Sequence, residues 1–237
     1  EPQHIYQGKI TNEILETMGI PYFIIGKETT EEEVRLAMSN FFKILADGRS
    51  VAFVIRKGAL SYGQKPVYRN SYIMRREEIL QHIVTFSGED PLICTTGKAS
   101  RELFEIRTAN SQSHKYDFLT IGSMGHCSSI ALGIATQKPN TRIWCIDGDG
   151  AVLMHMGALA VLGAIAPQNL IHIIINNSAH ETVGGMPTVA NQIDLAMIAK
   201  ACGYPNTVTV NNFEELDIEL KEARSRHELS LIEVKAS

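Results

Sequence analysis

Two short motifs limit the folds open to this chain more than any other feature of its sequence. Gly148-Asp149-Gly150 and Asn176-Asn177 each follow a strongly apolar run, with 25 residues between the motifs. Each run predicts a strand, so an Asp and an Asn reach loops at the carboxyl ends of two strands, where open α/β sheets bind ligands. Because carboxylate and amide oxygens are hard ligands, the pair predicts a site for Mg²⁺ together with a diphosphate.

The helix expected after the first motif supports the same site. Gly150 and Ala151 open this helix, and the free N–H groups at the start of a helix favour a phosphate. Gly148, Gly150 and Ala151 are therefore candidate contacts for the diphosphate.

A regular alternation of strand and helix patterns begins near residue 91. Strands are predicted at 92–95, 118–121, 142–147, 170–176, 207–210 and 229–234. Helices are predicted at 75–86, 99–108, 127–137, 151–165, 193–202 and 212–226. This alternation predicts an α/β fold with a mostly parallel, doubly wound sheet and helices on both of its faces.

The N-terminal quarter of the chain follows a different plan. It predicts one βαβ unit, with strands at 22–25 and 51–55 and a helix at 30–46 that begins with a capping box of Thr30 and Glu33. One such unit buries too little surface to stand alone. We therefore expect the last part of a second domain at 1–58, a linker at 59–75 and the main domain at 76–237.

Composition excludes several classes of function. A net charge of −4 with no cluster of basic residues argues against a nucleic-acid or membrane-surface partner. The longest apolar run, 158–166, is too short to cross a bilayer. The four cysteines lack metal-type spacing and stand in apolar contexts, which favours buried, reduced thiols in a cytoplasmic protein.

The two motifs and their spacing resemble the signature of enzymes that depend on thiamine diphosphate. Three further stretches are similar to the phosphonopyruvate decarboxylase family and to its sulfopyruvate decarboxylase relatives: TGKASRELF at 96–104, DFLTIGSMGH at 117–126 and NNSAHETVGGMPT at 176–188. Residues 1–4 and 19–22 resemble the last third of the N-terminal, pyrimidine-binding domain of these enzymes. The resemblance implies a thiamine-diphosphate-binding fold for the main domain and a remnant of the pyrimidine-binding domain at 1–58.

The resemblance implies three protein ligands for Mg²⁺. These are the side chains of Asp149 and Asn177 and the carbonyl oxygen of Ala179. The alternative for Asp149 is an acid that only stabilises a turn between glycines. Asn176 is expected to hold the turn rather than to bind the metal.

The turn formed by Gly122, Ser123, Met124 and Gly125 is implied to hold the rest of the cofactor. The Gly122 carbonyl would accept a hydrogen bond from the aminopyrimidine, and Met124 would wedge between the two cofactor rings. The alternative for Met124 is core filling.

Three residues are candidates for a catalytic role: His180 and Glu181, which would supply protons or orient an intermediate, and His126, which would contact the cofactor or the substrate. His180 and Glu181 follow the metal loop, where a substrate would lie. His126 begins the helix after the 122–125 turn, and a structural role there is an equal alternative.

The loop after the first strand of the main domain supplies candidates for binding anions. Thr96 and Gly97 would contact the diphosphate, while Lys98 and Arg101 are cations suited to the acid group of a substrate. A solvated helix start is the alternative for this loop.

The implied function is decarboxylation of 3-phosphonopyruvate to phosphonoacetaldehyde and CO₂, with thiamine diphosphate and Mg²⁺, by a homo-oligomer of at least two chains. Decarboxylation of 3-sulfopyruvate is the nearest alternative, and a non-catalytic thiamine-diphosphate-binding module is another. A nicotinamide-dependent oxidoreductase is disfavoured because the glycines of the 122–125 turn do not have the G-x-G-x-x-G spacing.

The resemblance also predicts that residues 1–237 alone are a poor enzyme. In the enzymes that they resemble, the essential Glu that contacts the pyrimidine ring lies upstream of the position of Glu1. We therefore expect this chain to bind thiamine diphosphate weakly and to turn over little or no phosphonopyruvate. Carbon dioxide release by the purified chain measures this, and decarboxylation at an ordinary enzyme rate would contradict it.

Overall fold

The computed structural model describes residues 2–63 and 70–237. The chain divides into two compact units, Glu1–Lys65 and Pro66–Ser237. This division falls inside the linker expected at 59–75, of which residues 64–69 lie outside the described residues.

The first unit contains one parallel pair of strands with a helix between them. Its elements are α1 (Pro2–Thr17), β1 (Tyr22–Ile25), α2 (Glu31–Ala46) and β2 (Ala52–Ile55). The capping box of α2 is confirmed, because Thr30 Oγ1 accepts from the Glu33 N–H and the Glu33 carboxylate accepts from the Thr30 N–H. Helix α1 has no counterpart among the sequence predictions.

The second unit alternates strands and helices along its length. Its elements are α3 (Arg76–Ser87), β3 (Leu92–Cys94), α4 (Lys98–Ala109), β4 (Asp117–Leu119), α5 (Cys127–Gln137), β5 (Ile143–Gly148), α6 (Asp149–Met154), α7 (Gly157–Ile165), β6 (Leu170–Asn176), β7 (Ala179–His180), β8 (Met186–Pro187), α8 (Leu195–Ala201), β9 (Asn206–Val210), α9 (Phe213–Ser225) and β10 (Ser230–Lys235). The predicted strands are all present, with ends that move by one or two residues.

Six of these strands form one sheet in the order β4-β3-β5-β6-β10-β9, and every neighbouring pair is parallel. Successive residues of β5 point to opposite faces, so Trp144 and Ile146 join the core under α3, α4 and α9. Ile143 and Cys145 join the core under α5, α7 and α8. The predicted α/β, doubly wound architecture is confirmed.

The helix predicted at 151–165 is wrong as a single element, because the structure breaks it into α6 and α7. His155 leaves the helical region at φ −133° and ψ 44°, and its N–H bonds to the Val152 carbonyl. The break brings the His155 ring against Gly125, where a Cβ would lie 2.5 Å from the ring. Packing against this glycine therefore accompanies the break in the helix.

Residues 70–74, which the sequence placed in the linker, pack into the second unit. The Asn70 amide donates to the carbonyls of Asn177 and Ala236, at 3.1 and 2.9 Å. Met74 is fully buried and forms a parallel bridge with Ala236. This segment therefore supports the loop after β6.

The four cysteines are all free, with Cys94, Cys127 and Cys145 buried and Cys202 partly buried. Among the described residues, no helix combines the length and the apolar character needed to cross a membrane.

Gly163 on α7 offers a test of packing with a control in the same unit. A Cβ at Gly163 would lie 1.9 Å from the Cys202 carbonyl oxygen, whereas a Cβ at Gly133 on α5 meets nothing within 4 Å. We expect Gly163→Ala to lower the free energy of unfolding by about 1–3 kcal/mol through overpacking. Gly133→Ala should raise it by about 0.5–1 kcal/mol, because alanine loses less backbone entropy in a helix. Chemical denaturation measures both, and unchanged stability of Gly163→Ala would contradict the close contact.

Candidate active site

A cleft that is open to solvent lies at the carboxyl ends of the central strands. Parallel pairing places Gly148 of β5 opposite Ile175 of β6, so both sequence motifs begin at the same edge of the sheet. Most of the predicted site residues line this cleft: Thr96, Lys98, Met124, Gly148, Asp149, Gly150, Ala151, Asn177, Ala179, His180 and Glu181.

Asp149 presents a buried carboxylate to the cleft. The residue is 3% exposed, and its Oδ2 accepts a hydrogen bond of 2.5 Å from the Thr188 hydroxyl. Burial raises the pKa of Asp149, while the Thr188 hydroxyl acts in the opposite direction. A buried carboxylate is costly unless a cation or a metal ion offsets its charge, and among the described residues His180 offsets it only in part, because the pKa of Asp149 stays raised. This carboxylate is therefore well suited to a metal ion.

The two asparagines of the second motif have different surroundings. Asn176 is fully buried, where its amide donates to Glu233 at 2.6 Å and its oxygen accepts from the Ser178 N–H at 3.0 Å. Asn177 is partly buried and lines the cleft, and its Oδ1 accepts from the Ala179 N–H at 3.2 Å. Asn176 therefore anchors the turn, as expected, while Asn177 offers an oxygen to the cleft.

Asp147 anchors the first motif from behind. It is 1% exposed, and its Oδ1 accepts from the Gly148 N–H at 3.0 Å. Its Oδ2 lies 3.7 Å from Nε2 of the buried His172, whose Nδ1 lies 3.1 Å from the Tyr204 hydroxyl. These side chains fix the end of β5 from the core side of the sheet.

Gly150, at the start of α6, lies close to two other candidate residues, His180 and Met124. A Cβ at this position would lie 2.5 Å from His180 Cε1 and 3.3 Å from Met124 Cε. Only glycine leaves room for the His180 ring beside Asp149, which explains the second glycine of the motif.

The 122–125 turn has an unusual backbone. Gly122, Ser123 and Gly125 have φ values of 76°, 48° and 88°. The Gly122 N–H donates to Thr96 Oγ1 at 3.0 Å, which ties the turn to the loop after β3. This conformation places Met124 among the residues that line the cleft.

His126 is exposed and lies beside this turn rather than in the cleft. Its Nδ1 is 3.2 Å from the Ser123 carbonyl oxygen, and its ring centroid lies 4.2 Å from that of His155. Within the described chain, the cleft lining also omits Gly97, Gly122, Ser123 and Arg101. The roles predicted for these residues stay predictions.

A charged group that the sequence did not reveal lies on the wall of the cleft formed by α3 and α4. Lys98 Nζ and Arg76 Nη1 each form a short ion pair with Glu181. Partial burial raises the pKa of Glu181, but the hydrogen bonds from both cations outweigh burial, so its pKa lies below the ordinary value. Burial would lower the pKa of Arg76, yet its bonds to Glu102 and Glu181 raise the pKa above its usual range. Arg76 and Glu181 therefore remain charged at neutral pH.

Comparison with known proteins identifies the second unit. Residues 95–234 match the family described as "Thiamine pyrophosphate enzyme, C-terminal TPP binding domain". Phosphonopyruvate decarboxylase from Streptomyces viridochromogenes is 30% identical over 234 residues, which cover 91% of this chain and 57% of that protein. Sulfopyruvate decarboxylase subunit beta from Methanococcus maripaludis is 34% identical over 163 residues, which cover 69% of this chain and 84% of that subunit. Both relatives are decarboxylases and therefore carboxy-lyases.

Solved structures support the same fold at lower sequence identity. Benzoylformate decarboxylase from Polynucleobacter necessarius has a TM-score of 0.57 and 15% identity over 76% of this chain and 36% of that one. The 4-hydroxybenzoylformate decarboxylase of Rhodococcus jostii has a TM-score of 0.57 and 18% identity over 75% and 35% of the two chains. The chain therefore belongs to the thiamine pyrophosphate enzymes, and the region that places it there, residues 95–234, is their C-terminal TPP-binding domain.

Proposed function

We propose that this chain supplies the diphosphate- and metal-binding half of a decarboxylase that acts on a small acidic 2-keto acid, with 3-phosphonopyruvate as the substrate and phosphonoacetaldehyde and CO₂ as products. The observation that carries this proposal is the buried Asp149 carboxylate beside the Asn177 oxygen in a TPP-binding domain. The phosphonopyruvate decarboxylase relative supports the choice of substrate, although the chain spans only 57% of its length.

The donor set of the cleft fits Mg²⁺ and a diphosphate. Asp149 and Asn177 offer side-chain oxygens, and the Ala179 carbonyl is a third candidate in the same lining. Oxygen donors of this kind, completed by phosphate oxygens and water, are what Mg²⁺ prefers. The diphosphate would lie against Gly148, Gly150 and Ala151, with Thr96 and Gly97 on the facing loop.

The other residues of the cleft would orient and protect the reacting groups. When bound, thiamine diphosphate supplies a thiazolium that accepts the electron pair released as carbon dioxide leaves. Met124 would hold the cofactor in a bent shape, and the Gly122 carbonyl would accept from its amino group, with Ser123 keeping the turn in place. The antiparallel β7 and β8 pair carries His180 beside Gly150 and would limit the access of water.

Proton transfer would fall to His180 first. Its ring packs on Gly150 and is in the cleft lining, close to the proposed metal site. Glu181 would influence the reacting groups through its negative charge. His126 would influence them indirectly, through the Ser123 carbonyl that lies near its ring. Lys98 and Arg101 remain our candidates for the substrate acid group.

Sulfopyruvate is the second candidate substrate. The sulfopyruvate decarboxylase subunit beta of Methanococcus maripaludis supports this choice. We propose that residues 1–58 are part of a pyrimidine-binding domain and that the intact protein is a homo-oligomer in the cytoplasm. A non-catalytic thiamine-diphosphate-binding module is the remaining alternative.

The Thr188 hydroxyl gives a test of the metal site that leaves the ligands in place. Its hydrogen bond of 2.5 Å orients the Asp149 carboxylate. Because partners of metal ligands contribute to metal affinity, we expect Thr188→Val to weaken Mg²⁺-dependent binding of thiamine diphosphate by about 10- to 100-fold. Thr188→Ser keeps the hydroxyl and should bind like the original chain. Isothermal titration calorimetry with and without Mg²⁺ measures both variants.

Asp149→Ala should abolish the Mg²⁺-dependent part of the same binding. Equal binding by Asp149→Ala and the original chain would refute the assignment of this residue to the metal. Binding that depends on Asp149 without any turnover in the intact protein would favour the non-catalytic module.

Turnover of the two keto acids by the intact protein decides the substrate. We expect a higher kcat/KM for 3-phosphonopyruvate than for 3-sulfopyruvate, since the phosphonate carries more negative charge toward Lys98. Carbon dioxide release measures both reactions side by side. A reversed preference would assign the protein to sulfopyruvate.

A further inference from the structure

We infer that Arg76 and Lys98 together form the receptor for the tetrahedral acid group of the substrate, and that the Glu181 carboxylate occupies this receptor while it is empty. The inference rests on the proposed function, because it names the residues that would recognise a phosphonate or a sulfonate in that cleft. It adds a residue, Arg76, whose position next to Lys98 is not evident from the sequence.

Both cations converge on a single carboxylate inside the cleft. Arg76 Nη1 contacts Glu181 Oε2, and Lys98 Nζ contacts Glu181 Oε1. Each oxygen of the acid therefore has its own cation. A phosphonate or a sulfonate presents a similar pair of oxygens along one edge of its tetrahedron, so it can replace the carboxylate with the same two partners.

Arg76 is the fixed part of this receptor. Its Nε and Nη2 donate to the two oxygens of Glu102, both at 2.7 Å, which leaves Nη1 for the cleft. The side chains of Arg76 and Glu102 are only 17% and 22% exposed. A planar guanidinium held along one edge by a carboxylate has little freedom to turn, so its third nitrogen stays aimed at the site.

Glu181 is the replaceable part. Its side chain is 39% exposed, more than twice as much as that of Arg76. It begins the short 3-10 turn Glu181–Val183, which leads into Gly184 and Gly185 with φ values of 98° and 71°. Glycines tolerate other backbone conformations at little cost, so this segment can withdraw the carboxylate without unfolding β7.

The balance of charge explains why the empty receptor needs an occupant. Arg76, Lys98, Glu102 and Glu181 carry two positive and two negative charges, so the group is neutral as it stands. Withdrawal of Glu181 leaves one net positive charge on a partly buried wall, which is unfavourable until an anion arrives. The substrate acid group would restore the balance, and Glu181 would compete with it for the same cations.

Anion titrations on the 237-residue chain test this competition without any cofactor. Methylphosphonate and methanesulfonate serve as probes in isothermal titration calorimetry. Glu181→Gln should raise the affinity for methylphosphonate at least fivefold, because the amide no longer competes for the cations. Arg76→Lys should lower the affinity at least fivefold, because lysine keeps the charge but cannot bind Glu102 and the anion together. Arg75 is next to Arg76 in the sequence, but it is exposed and paired with Glu78. We therefore expect Arg75→Lys to leave the affinity for methylphosphonate unchanged.

Several outcomes would overturn the inference. An unchanged or weaker affinity in Glu181→Gln would show that Glu181 is not a competitor. Equal behaviour of Arg76→Lys and Arg75→Lys would remove Arg76 from the receptor, once thermal melting shows that both variants are folded. Loss of methylphosphonate binding in saturating Mg²⁺ and pyrophosphate would assign the cations to the cofactor diphosphate instead.

The two probes also separate the candidate acid groups. At a pH above the second pKa of methylphosphonate, tighter binding of methylphosphonate than of methanesulfonate supports a receptor for a dianion, and the reverse order supports one for a monoanion. Thiamine diphosphate binding tests the proposed function independently. A chain that binds the cofactor but fails the anion titrations would retain its proposed function and lose only this inference.

Discussion

The parallel pairing of β5 with β6 is the constraint on which the rest of the site depends. Because Gly148 lies opposite Ile175, the loops that follow the two strands start at the same level of the sheet. A shift by one residue would reverse the faces of every side chain in these strands. The buried Asp147 and Asn176 then hold the two loops from below, through Gly148 and Ser178. Asp149 and Asn177 are therefore positioned by the core rather than by each other.

The two walls of the cleft solve the problem of buried charge in different ways. On the wall formed by the strand ends, Asp149 has a hydroxyl partner, and His180 offsets its charge only in part, which suits it to an external cation. On the wall formed by α3 and α4, the charges of Arg76, Lys98, Glu102 and Glu181 cancel internally. We propose that the first wall holds a metal ion and that the second exchanges one anion for another.

The sequence predicted those parts of the protein that depend on local patterns. The central strands are continuous apolar runs, and Asp149 and Asn177 follow them directly, so the sequence predicted both the fold and the position of these two residues in the cleft. Helix α1 was missed because its apolar residues do not form a buried stripe along one face. Ile5 and Ile14, for example, are 59% and 47% exposed. The break at His155 was missed because the contact that accompanies it, with Gly125, joins two turns that are distant in the sequence.

Polar contacts between residues far apart in the sequence could not be predicted from local patterns either. Arg76 and Glu181 are 105 positions apart, and only the assembled sheet brings α3 over the loop after β6. Thr188 lies at the end of a stretch that the sequence singled out, yet nothing local shows that its hydroxyl bonds to Asp149. A polar residue at the end of a conspicuous stretch is a reasonable place to look for such a partner.

The absence of a side chain at Gly150 has a consequence for how this site can diversify. His180 and Met124 both press on that position, so almost any replacement would displace the residues beside the metal loop. A change at this position would therefore disturb the strand-end wall, whereas α3, α4 and the 181–185 segment carry the residues that we propose for the acid group of the substrate. Substrate range and cofactor chemistry would then evolve on separate walls of the same cleft.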